Sequence, residues 1–125
     1  MIDHLSLGVA DIARARFFYD AVLKPLGFKR EHDMVDASGY GVPGAKSQAL
    51  PFWITLDPAV PPWSGHLCFT AKSSAEVDAF YQAALANGAT DNGAPGLRPE
   101  YHATYYAAFV VDPDGHRIEA VCHNP

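Results

Sequence analysis

Ile2-Asp3-His4-Leu5-Ser6-Leu7-Gly8-Val9 and Gly65-His66-Leu67-Cys68-Phe69-Thr70 begin two stretches of one pattern, with a histidine at the matched place in each. The offset from His4 to His66 is 62 residues. At that same offset Phe18-Tyr19 returns as Phe80-Tyr81, and Leu23 as Leu85. A repeat of this length indicates two copies of one supersecondary unit, neither of which buries its apolar face alone.

Within each copy the hydrophobic period changes once. Leu5, Leu7 and Val9 alternate with His4, Ser6 and Gly8, which is the period of a strand. Asp11 is a good N-cap, and Ile12, Ala15, Phe18, Tyr19, Val22, Leu23 and Leu26 then recur at helical spacing until Pro25 and Gly27. Residues 28–57 read as shorter strands, with turns near Asp36–Gly41 and Pro43-Gly44 and the clearest strand at Phe52-Trp53-Ile54-Thr55-Leu56. Pro58, Pro61 and Pro62 form a stiff connector.

The second copy restarts with Leu67, Phe69 and Ala71 alternating against His66, Cys68 and Thr70. Ser73 with Glu76 fits a capping box, Val77, Phe80, Tyr81, Ala84 and Leu85 make the apolar stripe, and Gly88 suits the helix end. Asn92 to Pro99 reads as a Gly/Pro-rich loop. Tyr105 to Val111 reads as a strand, Asp112-Pro113-Asp114-Gly115 as a type I turn, and Arg117 to Cys122 as the return strand. The expected fold is α+β. It consists of two βαβββ units forming a curved mixed or antiparallel sheet, with helices outside and a concave cleft. We expect one domain over residues 1–125, its units spanning 1–57 and 63–125.

Bulk properties narrow the function. The chain has 125 residues and a net charge of −5, and its Lys and Arg residues form no cluster larger than the pair Lys29-Arg30. Nucleic-acid binding needs clustered cations, so no nucleic-acid partner is expected. No apolar run approaches membrane-span length, and the first residues carry no signal-type segment. Two cysteines, Cys68 and Cys122, are too few for a disulfide framework. A cytoplasmic protein is expected.

Alternation also sorts the candidate site residues. If Leu5, Leu7, Leu67, Phe69, Ile118, Ala120 and Cys122 pack beneath helices, then His4, His66, Cys68, Arg117 and Glu119 face the other way. Two neutral imidazoles and a carboxylate suit Mn, Fe, Co, Ni or Zn and leave positions open for water or substrate. The plainer alternative pairs Glu119 with Arg117 and treats the histidines as ordinary polar strand residues. Tyr101 and His102 are candidate general acids or bases. Arg98 is a candidate fork for a substrate carboxylate, and Trp53, Trp63, Tyr40 and Tyr106 are candidate pocket walls. Cys68 reads as a small buried hydrophobe.

Ile2-Asp3-His4-Leu5 through Val9, the helix carrying Phe18-Tyr19, Gly65-His66-Leu67, and Tyr106 through Glu119 together resemble the vicinal oxygen chelate superfamily, also called the glyoxalase/bleomycin-resistance/dioxygenase group. The last stretch is the most specific, since an aromatic strand, a DPDG turn and an inward glutamate come together. The resemblance spans nearly the whole chain. It implies a cleft holding a divalent metal that is chelated by adjacent oxygens of a small substrate, with His4, His66 and Glu119 on three of the family's ligand positions. The fourth position falls near Trp53, which cannot ligate, and this departs from the glyoxalase I pattern. The resemblance implies a metal-dependent enzyme of lyase, isomerase, dioxygenase or thiol-transferase type, and a homodimer. Its alternative is a metal-free protein that sequesters a drug-like molecule.

Overall fold

The computed structural model describes residues 1–61 and 63–125 and divides into two compact units, Met1–Pro61 and Pro62–Pro125. Of the expected proline connector, Pro62 lies outside the described residues.

In the first unit, β1 (Leu5–Val9) leads into α1 (Ile12–Leu23), followed by β2 (Lys29–Asp33), β3 (Ala37–Gly41) and β4 (Phe52–Leu56). The Asp11 carboxylate accepts the Arg14 N–H at 3.0 Å and so caps α1 at the expected residue. A short 3-10 turn over Lys24–Leu26 ends the helix, and Gly27 takes the left-handed conformation (φ 82°) that stops it. Ala15, Phe18, Tyr19, Val22 and Leu23 are the buried stripe. Each large side chain there contributes about 1.5–3 kcal/mol by leaving water. The sheet order is β1-β4-β3-β2, with β1 parallel to β4 and the other pairs antiparallel.

β3 corrects the sequence reading, which had taken Asp36–Gly41 as a turn. Ala37, Ser38, Gly39, Tyr40 and Gly41 form a strand buried along its whole length. The glycines answer a packing need. A Cβ on Gly39 would stand 2.7 Å from Leu50 Cδ1 and 2.9 Å from the Trp53 ring, and one on Gly41 would stand 2.9 Å from Leu50 Cδ2. Leu50 and Trp53 thus lie directly on the strand backbone, which a side chain at either glycine would obstruct.

The second unit repeats the order with β5 (His66–Thr70), α2 (Ser74–Ala86), β6 (Thr90–Leu97), β7 (Tyr106–Val111) and β8 (Arg117–Cys122), arranged β5-β8-β7-β6. The Ser73 hydroxyl accepts from Glu76 N, and the Glu76 carboxylate reaches back to Lys72 N at 2.6 Å. That is the capping box displaced by one residue. Here too the outer pair in sequence, β5 and β8, runs parallel, as β1 and β4 do. The paired βαβββ organisation expected from the repeat is present.

β6 is the second correction, because the Gly and Pro content of Asn92 to Pro99 predicts a loop over most of it. Its Pro and Gly residues are tolerated because the strand lies at the sheet edge and is bulged between Asp91 and Gly93 and again between Gly93 and Gly96. The turn into β8 is as expected: Gly115 N donates to Asp112 O at 3.0 Å, and the Asp112 carboxylate accepts from Asp114 N and His116 N.

Candidate functional site

Strand register decides which side chains of the second unit share a face. Cys68 stands opposite Glu119 in the β5–β8 pair, and Phe109 stands opposite Glu119 in the β7–β8 pair. Ile118 and Ala120 are buried on the other face, which α2 covers. His66, Cys68, Phe109 and Glu119 therefore lie together on the face turned away from α2.

Glu119 is the centre of this group. Its side chain is only 2% exposed, which for a carboxylate requires hydrogen-bond donors or a cation. His66 Nε2 lies 3.2 Å from Oε2, and the Tyr105 hydroxyl donates to Oε1 in a short hydrogen bond. Arg117, the alternative partner considered from sequence, reaches the Ser64 carbonyl at 3.4 Å. Burial raises the Tyr105 hydroxyl above its ordinary pKa, and the neighbouring Glu119 charge raises it further. Cys68, expected to be a small buried hydrophobe, is instead an exposed residue; local desolvation of its sulfur and the Glu119 charge push the thiol up, so it stays protonated near neutral pH. It is not a poised nucleophile.

Tyr105 is the residue that the sequence reading missed. The sequence pattern makes it the first residue of a strand and assigns it no role. A signal was available, since Tyr105, Ala107, Phe109 and Val111 share the period-two face that register assigns to Glu119. The two candidates chosen nearby lie at its sides. Tyr101 packs edge-on against the Tyr105 ring at 5.0 Å, and His102 does so at 5.3 Å. Glu119 takes its hydrogen bond from the Tyr105 hydroxyl and not from either of them. His102 Nε2 instead meets His123 Nδ1 at 2.8 Å.

The remaining candidates have other partners. Tyr106 points to the helix face, its hydroxyl donating to Asp78 at 2.7 Å, away from Glu119. Arg98 lies over the Phe109 ring at 5.4 Å and donates to the Ala94 carbonyl. The Trp63 ring packs edge-on against His116. In the first unit, Trp53 Nε1 donates to Leu50 O at 3.0 Å, and its ring meets His32. A surface cavity of about 480 Å³ in that unit, lined by Asp20, Lys24, Phe28, Lys29, Arg30 and Pro43, contains none of the predicted site residues.

His4, just before β1, places Nδ1 2.6 Å from the Asp3 carboxylate. The carboxylate can only accept, so in the neutral ring the proton belongs on Nδ1, which leaves the lone pair on Nε2. That is the tautomer needed for metal ligation through Nε2. Among the described residues no three His, Cys, Asp or Glu side chains stand in an arrangement that could hold a metal ion. The second unit supplies the pair His66 and Glu119, whose donor types fit a borderline divalent cation.

Two βαβββ units, each closed by a parallel outer pair, and a buried strand carboxylate beside an imidazole define a recognisable class of protein. The family model of the Glyoxalase/Bleomycin resistance protein/Dioxygenase superfamily matches residues 1–120, and the chain belongs to that superfamily. Among solved structures, a glyoxalase/bleomycin resistance protein from Albidiferax ferrireducens is 33% identical, with TM-score 0.80 over 94% of this chain and 95% of that one. A protein described as a possible glyoxalase from Bacillus cereus is 25% identical, with TM-score 0.65 over 98% of each chain. A bleomycin resistance determinant encoded on a transposon shares the fold at 20% identity, with TM-score 0.61 over 93% and 92%. No curated protein sequence matches.

Proposed function

We propose that this chain is a divalent-metal-dependent enzyme acting on a small substrate with adjacent oxygens, with residues 1–125 working as one domain and the protein as a homodimer in the cytoplasm. In this reading His66 and Glu119 hold the metal together with His4, and the metal is one of Mn, Fe, Co, Ni or Zn. The observation that carries the reading is Glu119, a carboxylate 2% exposed with an imidazole nitrogen 3.2 Å away. Two ligand types that suit the same cations are already together on one strand pair. The Asp3 contact that holds the His4 tautomer supplies the third donor in its ligating form.

A bound divalent ion supplies Lewis-acid polarisation of a substrate carbonyl, enolate or hydroxyl. The chain's own groups do the rest. Tyr105 holds Oε1 of Glu119 and fixes the orientation of the carboxylate. Phe109 supplies apolar surface on the same face, and Arg98 is held over its ring. Tyr101 and His102 stay as the candidate proton carriers, beside the Tyr105 ring. Trp53, Trp63 and Tyr106 stay as candidate substrate-binding residues, although the bonds made by Trp53 and Tyr106 are to their own unit's backbone and helix.

One observation favours the rival reading of a metal-free, drug-sequestering protein. Tyr105 and His66 already give both Glu119 oxygens a partner without a cation. Elemental analysis separates the two. After loading with each of the five metals and desalting, the metal enzyme retains about one ion per chain. His66→Ala and Glu119→Ala each lower the metal affinity by more than the roughly tenfold to hundredfold that losing a mere outer-shell partner costs. If the wild-type chain retains no metal under any loading condition, the metal-dependent reading is overturned in favour of the binding protein.

A further inference from the structure

The imidazoles of His102 and His123 form a bond that the candidacy of His102 as a proton carrier does not explain. Nε2 of His102 and Nδ1 of His123 are 2.8 Å apart, the ring planes differ by 16°, and the centroids are 5.0 Å apart. That separation is about the bond length plus two ring radii. The rings therefore lie end to end in one plane, not face over face. Their lone-pair directions oppose each other along a single line, which suits a shared proton and does not suit two ligands converging on one ion.

The direction of the bond follows from a neighbour. The backbone N–H of Thr104 donates to His102 Nδ1 at 3.3 Å. A neutral imidazole has one N–H, so the His102 proton sits on Nε2, and that nitrogen donates to His123 Nδ1. His123 is then the acceptor, with its own proton on Nε2.

The location of this bond gives it a role. His102 lies three residues before Tyr105, and His123 lies four residues after Glu119. The segment before β7 and the strand β8 are thus tied twice by side chains, once through Tyr105 and Glu119 and once through His102 and His123. Both imidazoles also press their rings against Tyr105, at 5.3 and 5.4 Å, each near 82°. Tyr101 adds a further edge contact at 5.0 Å. Tyr105 is only half-buried and stands just outside β7, where a phenol ring would otherwise sample several rotamers. Once the first tie is made, the second closes a short loop at little entropic cost, and each tie strengthens the other.

We propose that His102 and His123 are positioning residues that hold the Tyr105 hydroxyl on the Glu119 carboxylate, with His102 as donor and His123 as acceptor. This rests on the reading that the Glu119 face is the functional one, and it does not depend on a metal being bound there. Asn at position 123 would place an amide oxygen where Nδ1 accepts, and Gln at position 102 would place an amide nitrogen where Nε2 donates. Both substitutions therefore keep the tie, while Ala at either position removes it.

The test uses the full chain, treated with chelator, at a pH above the ordinary histidine range. Long-range nitrogen–proton NMR spectra report the tautomers, and the exchange rate of the Tyr105 hydroxyl proton reports its bond to Glu119. The expected wild-type result is His102 protonated on Nε2 and His123 protonated on Nε2, with neither carrying a proton on Nδ1. In His123→Ala the hydroxyl proton should exchange roughly fivefold faster, the factor that the loss of one net hydrogen bond gives. His123→Asn should restore the slow rate. A His102 proton on Nδ1 would overturn the assignment on wild-type protein alone, even if the alanine variant failed to fold. An unchanged hydroxyl exchange rate in a folded His123→Ala would overturn it as well. Because the protein is metal-free throughout, a failure of the metal-dependent reading leaves this outcome legible.

Discussion

At the residue scale, burial and hydrogen bonding move several hydroxyls far from their ordinary behaviour, and Tyr40 allows the clearest calculation. It is 1% exposed and donates to the Asp20 carboxylate at 3.0 Å. Burial first, and the Asp20 charge second, raise its pKa well above the ordinary value of 10.0. The unfolded chain ionises this phenol near 10 while the folded chain keeps its proton, so the unfolded state binds fewer protons above that point. Stability from Tyr40 is complete below pH 10 and is lost as pH rises toward the folded value. Tyr40→Phe should lower stability at neutral pH by about 1 kcal/mol, the net worth of one hydrogen bond, since Asp20 keeps Arg30 as a partner at 3.0 Å. Its alkaline decline should be shallower than that of the wild type. Urea denaturation from neutral to strongly alkaline pH checks both. An unaltered alkaline slope would mean that the hydroxyl is not held as described.

At the scale of elements, the sequence was most legible where periodicity and caps agree. α1, α2, β8 and the Asp112–Gly115 turn were readable because an apolar period, a capping side chain or a turn motif stands at each boundary. β3 and β6 were not, because their glycines and proline carry the local signature of turns. Their strand character comes from neighbours distant in sequence: Leu50 and Trp53 over Gly39, and β7 beside a bulged edge. The same limit applies to the site. His66 and Glu119 were legible from alternation, whereas Tyr105 needed the β7–β8 register and His123 needed a partner 21 residues away. The close approach in β3 is testable. Gly39→Ala should cost about 1–3 kcal/mol by forcing Leu50 and Trp53 off the strand. A shift of the tryptophan emission should accompany it. A variant with wild-type stability and emission would mean that the strand has room for a methyl group.

On the whole-molecule scale, no helix of the described residues is long and apolar enough to cross a membrane. The superfamily assignment covers residues 1–120. The first unit leaves single apolar side chains in solvent, namely Phe17 at 71%, Met34 at 54%, Val35 at 95% and Val42 at 59% exposure, and the homodimer that we propose would cover Phe17 and Val35. Sedimentation equilibrium should give twice the chain mass at micromolar concentration, and Phe17→Asp combined with Val35→Asp should shift the population to monomer. A wild-type monomer at every accessible concentration would contradict the proposal.

The short turn between β7 and β8 has a consequence beyond joining them. Its closure from Gly115 N to Asp112 O sets the count of residues that puts Phe109 opposite Glu119. Because strand faces alternate residue by residue, removing one residue from Asp112–Gly115 would exchange the two sides of everything downstream. Glu119 would be turned toward α2, and Ile118 and Ala120 would take its place. Many substitutions around the carboxylate can be drifted through one at a time, but the spacing four residues upstream has no intermediate. In a lineage of such proteins, the length of this turn should therefore be the last thing to vary, even where its residues change.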